Sequence, residues 1–292
     1  MVAIRLNPLI VIVGPTGSGK TDLALKIAKK FDGEIICADS WTVRREVNIG
    51  TAKPSLKDQK IIKHHLIDII DPDEMFSAAQ FKRLANKSIK DILSRNKIPI
   101  MIGGSGLYID GVIYNFSFLP PTKSRIQLNK LNLEELVKKA DKLKLLSSKI
   151  DRHNKRHLIR LIESKGLRPS KNNLRKNTVV IGLKIDRTEL KQRLELRSRL
   201  MIDEGLKDEV LAIIDKYGWD CEALKGVNYS QWKDYLKGKI DYEELKVSLV
   251  KANYDLAKKQ MTWFKRNKSI HWIDTPVNLT KVVDLITTFL NN

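Results

Sequence analysis

Residues 9–22 read LIVIVGPTGSGKTD, and this stretch decides how the remainder of the chain is read. Leu9 to Val13 is a continuous apolar run, too short and too uniformly apolar for an amphipathic helix, and so it predicts a buried strand. From Thr21 to Lys30 the apolar residues Leu23, Ala24, Ile27 and Ala28 recur at helical spacing. Between strand and helix, Gly14, Pro15, Thr16, Gly17, Ser18, Gly19, Lys20 and Thr21 match the phosphate-binding loop pattern in its proper context. Glycines let the backbone wrap around oxygen atoms. Amides at a helix N-terminus supply donors, Lys20 supplies a full charge and the Thr21 hydroxyl can ligate magnesium.

Further short apolar runs at 34–38 (EIICA), 98–102 (IPIMI), 179–185 (VVIGLKI) and 270–273 (IHWI) read as strands, with helical patterns between them that include 188–217 and 241–264. Strands alternating with helices predict a parallel α/β sheet, here a P-loop NTPase-like core flanked by helices. Residues 119–175 break the rhythm. They open near Pro120-Pro121, show helical periodicity without a strand and end in PSKNNLRKN, which predicts a helical insertion between two halves of the core, 1–118 and 176–292.

The chain of 292 residues carries 54 Lys and Arg against 34 Asp and Glu, a net +20 with a pI near 9.8. Between Pro121 and Lys176 there are 17 Lys and Arg but only 5 Asp and Glu, so the insertion concentrates the charge. Such a surface suits a polyanion whose counterions are released on binding. No apolar run reaches the ~18 residues of a membrane span, and the first apolar run passes into the glycine loop without a cleavage site, so we expect a cytoplasmic protein with no membrane partner. Only Cys37 and Cys221 are present, which leaves no disulfide framework and no cysteine zinc site.

The loop by itself leaves the phosphate chemistry open. A nucleotide hydrolase ends a neighbouring strand in an aspartate that helps to hold magnesium, whereas IPIMI runs into Gly103-Gly104-Ser105. That favours a small-molecule kinase or a diphosphate-using transferase over a motor. Asp39-Ser40 falls at the carboxyl end of the second strand, where open α/β sheets place their ligands. Its carboxylate could take a proton from a nucleophile, could bind magnesium through water, or could simply cap a turn. Arg193 and Arg197 share one helix face with Met201, either as a diphosphate fork or as a solvated basic face. His64-His65 lacks partners at metal-ligand spacing. The C-terminal mixture of lysines with Trp263, Phe264 and Trp272 fits a nucleic-acid track or a core under a basic rim.

In order along nearly the whole chain, GPTGSGKT, Asp39-Ser40, NIGTAKP (48–54), HHLID (64–68), FSAAQF (76–81), GGSGLY (103–108), LKDEV after Glu204-Gly205, and AKKQMTWFKRN (257–267) resemble the tRNA dimethylallyltransferases, or tRNA isopentenyltransferases. That resemblance implies that the exocyclic N6 amine of an adenosine beside the anticodon attacks dimethylallyl diphosphate and pyrophosphate leaves. It implies Asp39 as general base, the loop from Gly14 to Thr21 as the diphosphate cradle with Mg2+ on Thr21, Ser105 in the place of a usual threonine as hydrogen-bond donor to the diphosphate, and Arg197 as its arginine. Asp39, Ser40, Trp41 and Thr42 would face the tRNA adenosine, and Arg156, His157 and Arg160 of the basic insertion would grip the anticodon stem-loop. We expect a monomer.

This chain departs from the family pattern mainly where the nucleobase is handled. Thr42 stands in a glutamine position and Val43 in place of a tyrosine. A usual Gly-Tyr-Lys is Asn228-Tyr229-Ser230, and a usual Thr-Arg is Asn253-Tyr254. Two rivals remain at this stage: a prenyltransferase for free adenine nucleotides, and an RNA-binding protein of weak catalytic power on the same scaffold.

Overall fold

The computed structural model describes residues 7–119, 122, 124–147, 150–167 and 170–291. Pro120 and Pro121, taken above as the opening of the insertion, lie outside them. In chain order the elements are β1 (Leu9–Val13), α1 (Lys20–Lys30), β2 (Gly33–Cys37), α2 (Leu56–Ile61), β3 (His64–His65), α3 (Ala78–Ser94), β4 (Ile98–Gly103), α4 (Gly106–Ile113), α5 (Arg125–Lys130), α6 (Leu133–Lys142), α7 (Lys155–Glu163), β5 (Thr178–Lys184), α8 (Arg187–Asp203), α9 (Leu206–Tyr217), α10 (Trp232–Leu236), α11 (Tyr242–Phe264), β6 (Ile270–Asp274) and α12 (Leu279–Asn291).

Among the described residues the strands form one sheet in the order β3-β2-β4-β1-β5-β6, every pair parallel. β1, β2 and β4 are buried along their full length, as parallel strands covered by helices on both faces must be. On one face Leu23, Ala24, Ile27 and Ala28 of α1 close over Ile10, Ile12, Ile35 and Ile100, which is the role their spacing predicted. The carboxyl ends of β1, β2 and β4 therefore emerge side by side. The Ala38 N–H donates to the Ile102 carbonyl at 2.6 Å, and a Cβ at Gly103 would stand 2.0 Å from the Ala38 carbonyl oxygen. Only glycine lets the two strand ends approach so closely.

Two elements differ from the expectation. β3 is only two residues long, too short to leave a periodic signature, and pairs Ile35 with His64 and Ile36 with His65. The helical pattern at 188–217 is two helices: α8 ends at Asp203, and Gly205 at φ 98° starts α9. Apolar spacing continues across the break, so only the Glu204-Gly205 pair marks it.

Contacts divide the chain into two compact units, residues 1–113 with 174–292 and residues 114–173. The second unit contains α5, α6 and α7 around a small core of Leu128, Leu136, Ala140, Leu158, Ile159 and Ile162. Glu163 is buried beneath it and accepts hydrogen bonds from Arg125 at 2.5 Å and from the Thr122 N–H at 3.1 Å. No helix among the described residues is long and apolar enough to cross a membrane.

Candidate active site

Between β1 and α1 the loop takes the conformation its glycines permit. Gly17 and Gly19 have φ 80° and 84°, in the left-handed region that side chains disfavour. The Ser18 N–H donates to the Pro15 carbonyl at 3.2 Å, and Lys20 Nζ folds back onto the same carbonyl at 2.6 Å. Ser18 is buried and its hydroxyl has no partner. The Thr16 N–H is held by Gln260 Oε1 of α11 at 2.8 Å. Gln260 also fills the space at Gly104, where a Cβ would stand 2.1 Å from its Nε2. This glutamine ties the phosphate loop to the end of β4. It lies inside the AKKQMTWFKRN motif, yet no periodicity argument singles it out.

The loop forms one wall of a cavity of about 380 Å3 that also takes in Asp39, Trp41, Thr42, Arg193, Arg197 and Asn253. Lys20 sits deep in it. Burial first, and then the charge of Arg197, push its pKa down to about 7, while Asp39 pulls the other way. Burial likewise lowers Arg197, again opposed by Asp39, and the Arg197 Nε is enclosed without a partner. Two cations desolvated in one space, with one carboxylate against them, call for an anion. Arg193 is spent differently, donating to the Gly17 carbonyl at 3.3 Å and to Glu189 at 2.6 Å; it braces the loop. Cys37, on the cavity floor, has its thiol pushed up to about 12 by burial and is inert.

At the end of β2 both readings of Asp39 meet. Its Oδ1 accepts the Trp41 N–H at 2.7 Å and the Thr42 N–H at 3.4 Å, which makes the turn, while the same carboxylate lines the cavity. Ser105 accepts the Ser40 N–H on its hydroxyl at 3.0 Å; Gly103 and Gly104 line the cavity and Ser105 does not. Trp41 rests against Gly226, where a Cβ would come within 3.0 Å of the ring, with the Arg44 guanidinium 5.1 Å from the ring centroid. Thr42 lines the cavity, but its hydroxyl is buried without a partner.

Thr21 also lines the cavity. No cluster of three or more His, Cys, Asp or Glu able to hold a metal exists among the described residues. A magnesium ion here would draw on the Thr21 hydroxyl, phosphate oxygens and water, the coordination this ion prefers, rather than on an all-protein cage. His64 lines the cavity with Nδ1 on the Ile62 carbonyl at 2.7 Å, whereas His65 is engaged with buried Glu34 at 2.7 Å.

Several quoted motifs turn out to support the site. Glu209 of LKDEV accepts the N–H groups of Asn48, Ile49 and Gly50 at 2.7, 2.9 and 3.1 Å and the Tyr229 hydroxyl at 2.6 Å. Lys53 of NIGTAKP is buried and donates to the Arg44 carbonyl, Asn48 and Asp68. Of the aromatics left open above, Phe264 is core, and Trp263 donates to Asp110 at 3.0 Å. Arg156, His157 and Arg160 lie on α7 of the second unit. The first two are exposed, and Arg160 donates to the Leu119 carbonyl.

A family model described as IPP transferase matches residues 42–267. The phosphate loop and Asp39 precede that span. A curated tRNA dimethylallyltransferase of Staphylococcus aureus is 36% identical over 301 residues, covering 96% of this chain and 97% of its own. Two crystal structures of tRNA isopentenylpyrophosphate transferases superpose on the chain at 34% identity. That of Bacillus halodurans has TM-score 0.76 and covers 98% of this chain and 97% of its own, and that of Staphylococcus epidermidis has TM-score 0.74 and covers 97% and 99%. A eukaryotic dimethylallyltransferase acting on tRNA, at 22% identity and TM-score 0.78, shares the fold.

Proposed function

This chain belongs to the IPP transferase family, and from that membership we propose that it transfers a dimethylallyl group from dimethylallyl diphosphate to the N6 amine of an adenosine beside the anticodon of tRNA. The observation that carries the reading is the one cavity in which half-buried Lys20 and Arg197 face the Asp39 carboxylate. The loop and Arg197 bind and neutralise the diphosphate. As the N6–C1 bond forms, the allylic C1–O bond breaks and its electron pair leaves on the diphosphate. The proton lost from the amine passes to Asp39. The Thr21 hydroxyl would hold a magnesium ion, which when bound would supply further positive charge at the leaving group.

The protein's own contribution is orientation and placed charge, effects each able to lower a barrier by several kcal/mol. Ser105 holds the Ser40 N–H and so fixes the turn that carries Asp39. Trp41 offers a flat face to a base that has left its stack, a step costing about a few kcal/mol. The basic second unit, through Arg156, His157 and Arg160, supplies backbone contacts to the anticodon stem-loop that offset this cost.

The test is to incubate the protein with magnesium, dimethylallyl diphosphate and either unmodified tRNA or AMP, then to digest and analyse nucleosides by mass spectrometry. Prenylated adenosine in tRNA alone is the expected result. Prenylated AMP alone would overturn it in favour of a free-nucleotide enzyme, and tight tRNA binding without product would leave an RNA-binding scaffold.

A further inference from the structure

Asn228 and Asn253, two positions at which this chain departs from the family pattern, are joined to each other. Asn228 Nδ2 donates to the Gly50 carbonyl at 2.8 Å, which fixes the orientation of its amide, and its Oδ1 accepts from Asn253 Nδ2 at 2.5 Å. Asn253 Nδ2 donates its second hydrogen to the Leu249 carbonyl at 2.9 Å. Both hydrogens of Asn253 are thus committed, and backbone carbonyls at either end of the relay allow neither amide to flip.

What remains is Asn253 Oδ1, which has no hydrogen-bond partner among the described residues although the residue is only 2% exposed and lines the cavity. It is a fixed acceptor with no donor of its own to offer. Asn253 lines the cavity together with Trp41, Val227 and Asn228, and Gly226, next to Val227, is the residue on which Trp41 rests. Thr42, where the family resemblance sets a glutamine, has its only polar side-chain atom buried and cannot present an amide.

We propose that Asn253 Oδ1 is the adenosine-reading acceptor of this protein, supplying from α11 the amide oxygen that position 42 lacks. The inference rests on the proposed prenyl transfer to adenosine. An exocyclic amine carries two hydrogens. With Asp39 positioned to take one as the amine attacks, an acceptor for the other holds the nitrogen in line. A fixed acceptor also selects the base. It accepts from the N6 amine of adenine and leaves the O6 carbonyl of a guanine-like or hypoxanthine base facing another lone pair, a mismatch that costs affinity.

The test uses anticodon stem-loop RNAs that carry adenosine, purine riboside (no amine) or inosine at the target position, with binding measured apart from turnover. The unmodified protein is expected to bind the adenosine loop about tenfold or more tightly than the other two. Asn253→Thr is expected to abolish that preference and raise KM for RNA while leaving KM for dimethylallyl diphosphate unchanged, and Asn253→Thr/Thr42→Gln is expected to restore it. Equal affinity of the unmodified protein for the three loops overturns the proposal whether or not any variant folds, and so does a preference that persists in a folded Asn253→Thr. A protein that prefers the adenosine loop and loses the preference in Asn253→Thr, yet forms no prenylated RNA, supports the acceptor and rejects the transferase reading, which separates the two failures.

Discussion

Single side chains in the cavity make separable demands. Asp39 makes the turn and is the proposed base, so Asp39→Asn is the informative change: it keeps an oxygen for the Trp41 and Thr42 N–H groups but cannot take a proton. Prenyl transfer should fall about 1,000-fold, within the range of general-base effects, with the melting temperature and RNA affinity nearly unchanged. Turnover above a tenth of the original would remove Asp39 as base. Lys20 gives a pH signature. With its pKa down to about 7 in the ligand-free protein, it loses its proton as pH rises above that value, and binding of a diphosphate must restore it. Calorimetry should show uptake of up to one proton, and the Kd for dimethylallyl diphosphate should rise from about pH 7 to about pH 9. A flat profile would place the charge elsewhere. The same shift acts on stability with a definite sign: the buried charge is a penalty fully present below about pH 7, relieved as pH rises toward the ordinary lysine value.

At the scale of elements, the site depends on loops that secondary-structure propensity does not hold. The 48–50 loop is fixed by the Glu209 carboxylate of α9, which takes three successive backbone N–H groups and the hydroxyl of buried Tyr229. Glu209→Ala strands those donors and should cost about 3 kcal/mol or more in urea unfolding. An equal stability would mean that water replaces the carboxylate. Gly103→Ala is a harsher change, because its Cβ meets the Ala38 backbone at 2.0 Å and no side chain can yield there. It should separate the ends of β2 and β4 and abolish soluble folded protein, read by circular dichroism. The α8–α9 break shows the opposite case, a feature that one glycine produces without any change in apolar spacing.

For the whole molecule the charge distribution is the property to measure. Binding of tRNA should weaken about tenfold or more between about 50 and about 200 mM salt, and Arg156→Gln should lessen the slope by about one. A slope that Arg156→Gln leaves unchanged would remove this face of the second unit as the grip. The parallel sheet, the phosphate loop and the strand-end position of Asp39 could be read directly from the sequence, because each is a local pattern: an apolar run, glycines at fixed spacing, a carboxylate just past a strand. Motif order alone also carried the family resemblance. The roles of Gln260, Glu209, Asn228 and Asn253 could not be read, since their partners lie 244, 161, 178 and 25 residues away in the chain. Local periodicity contains no term for such separations. The sequence determined which chemical groups are present: a glycine-rich loop of backbone amides, cations and a carboxylate at a strand end. The tertiary structure decided which polar atoms are consumed in holding the site together and which remain for a substrate, because only packing establishes whether a hydrogen-bonding group is already satisfied.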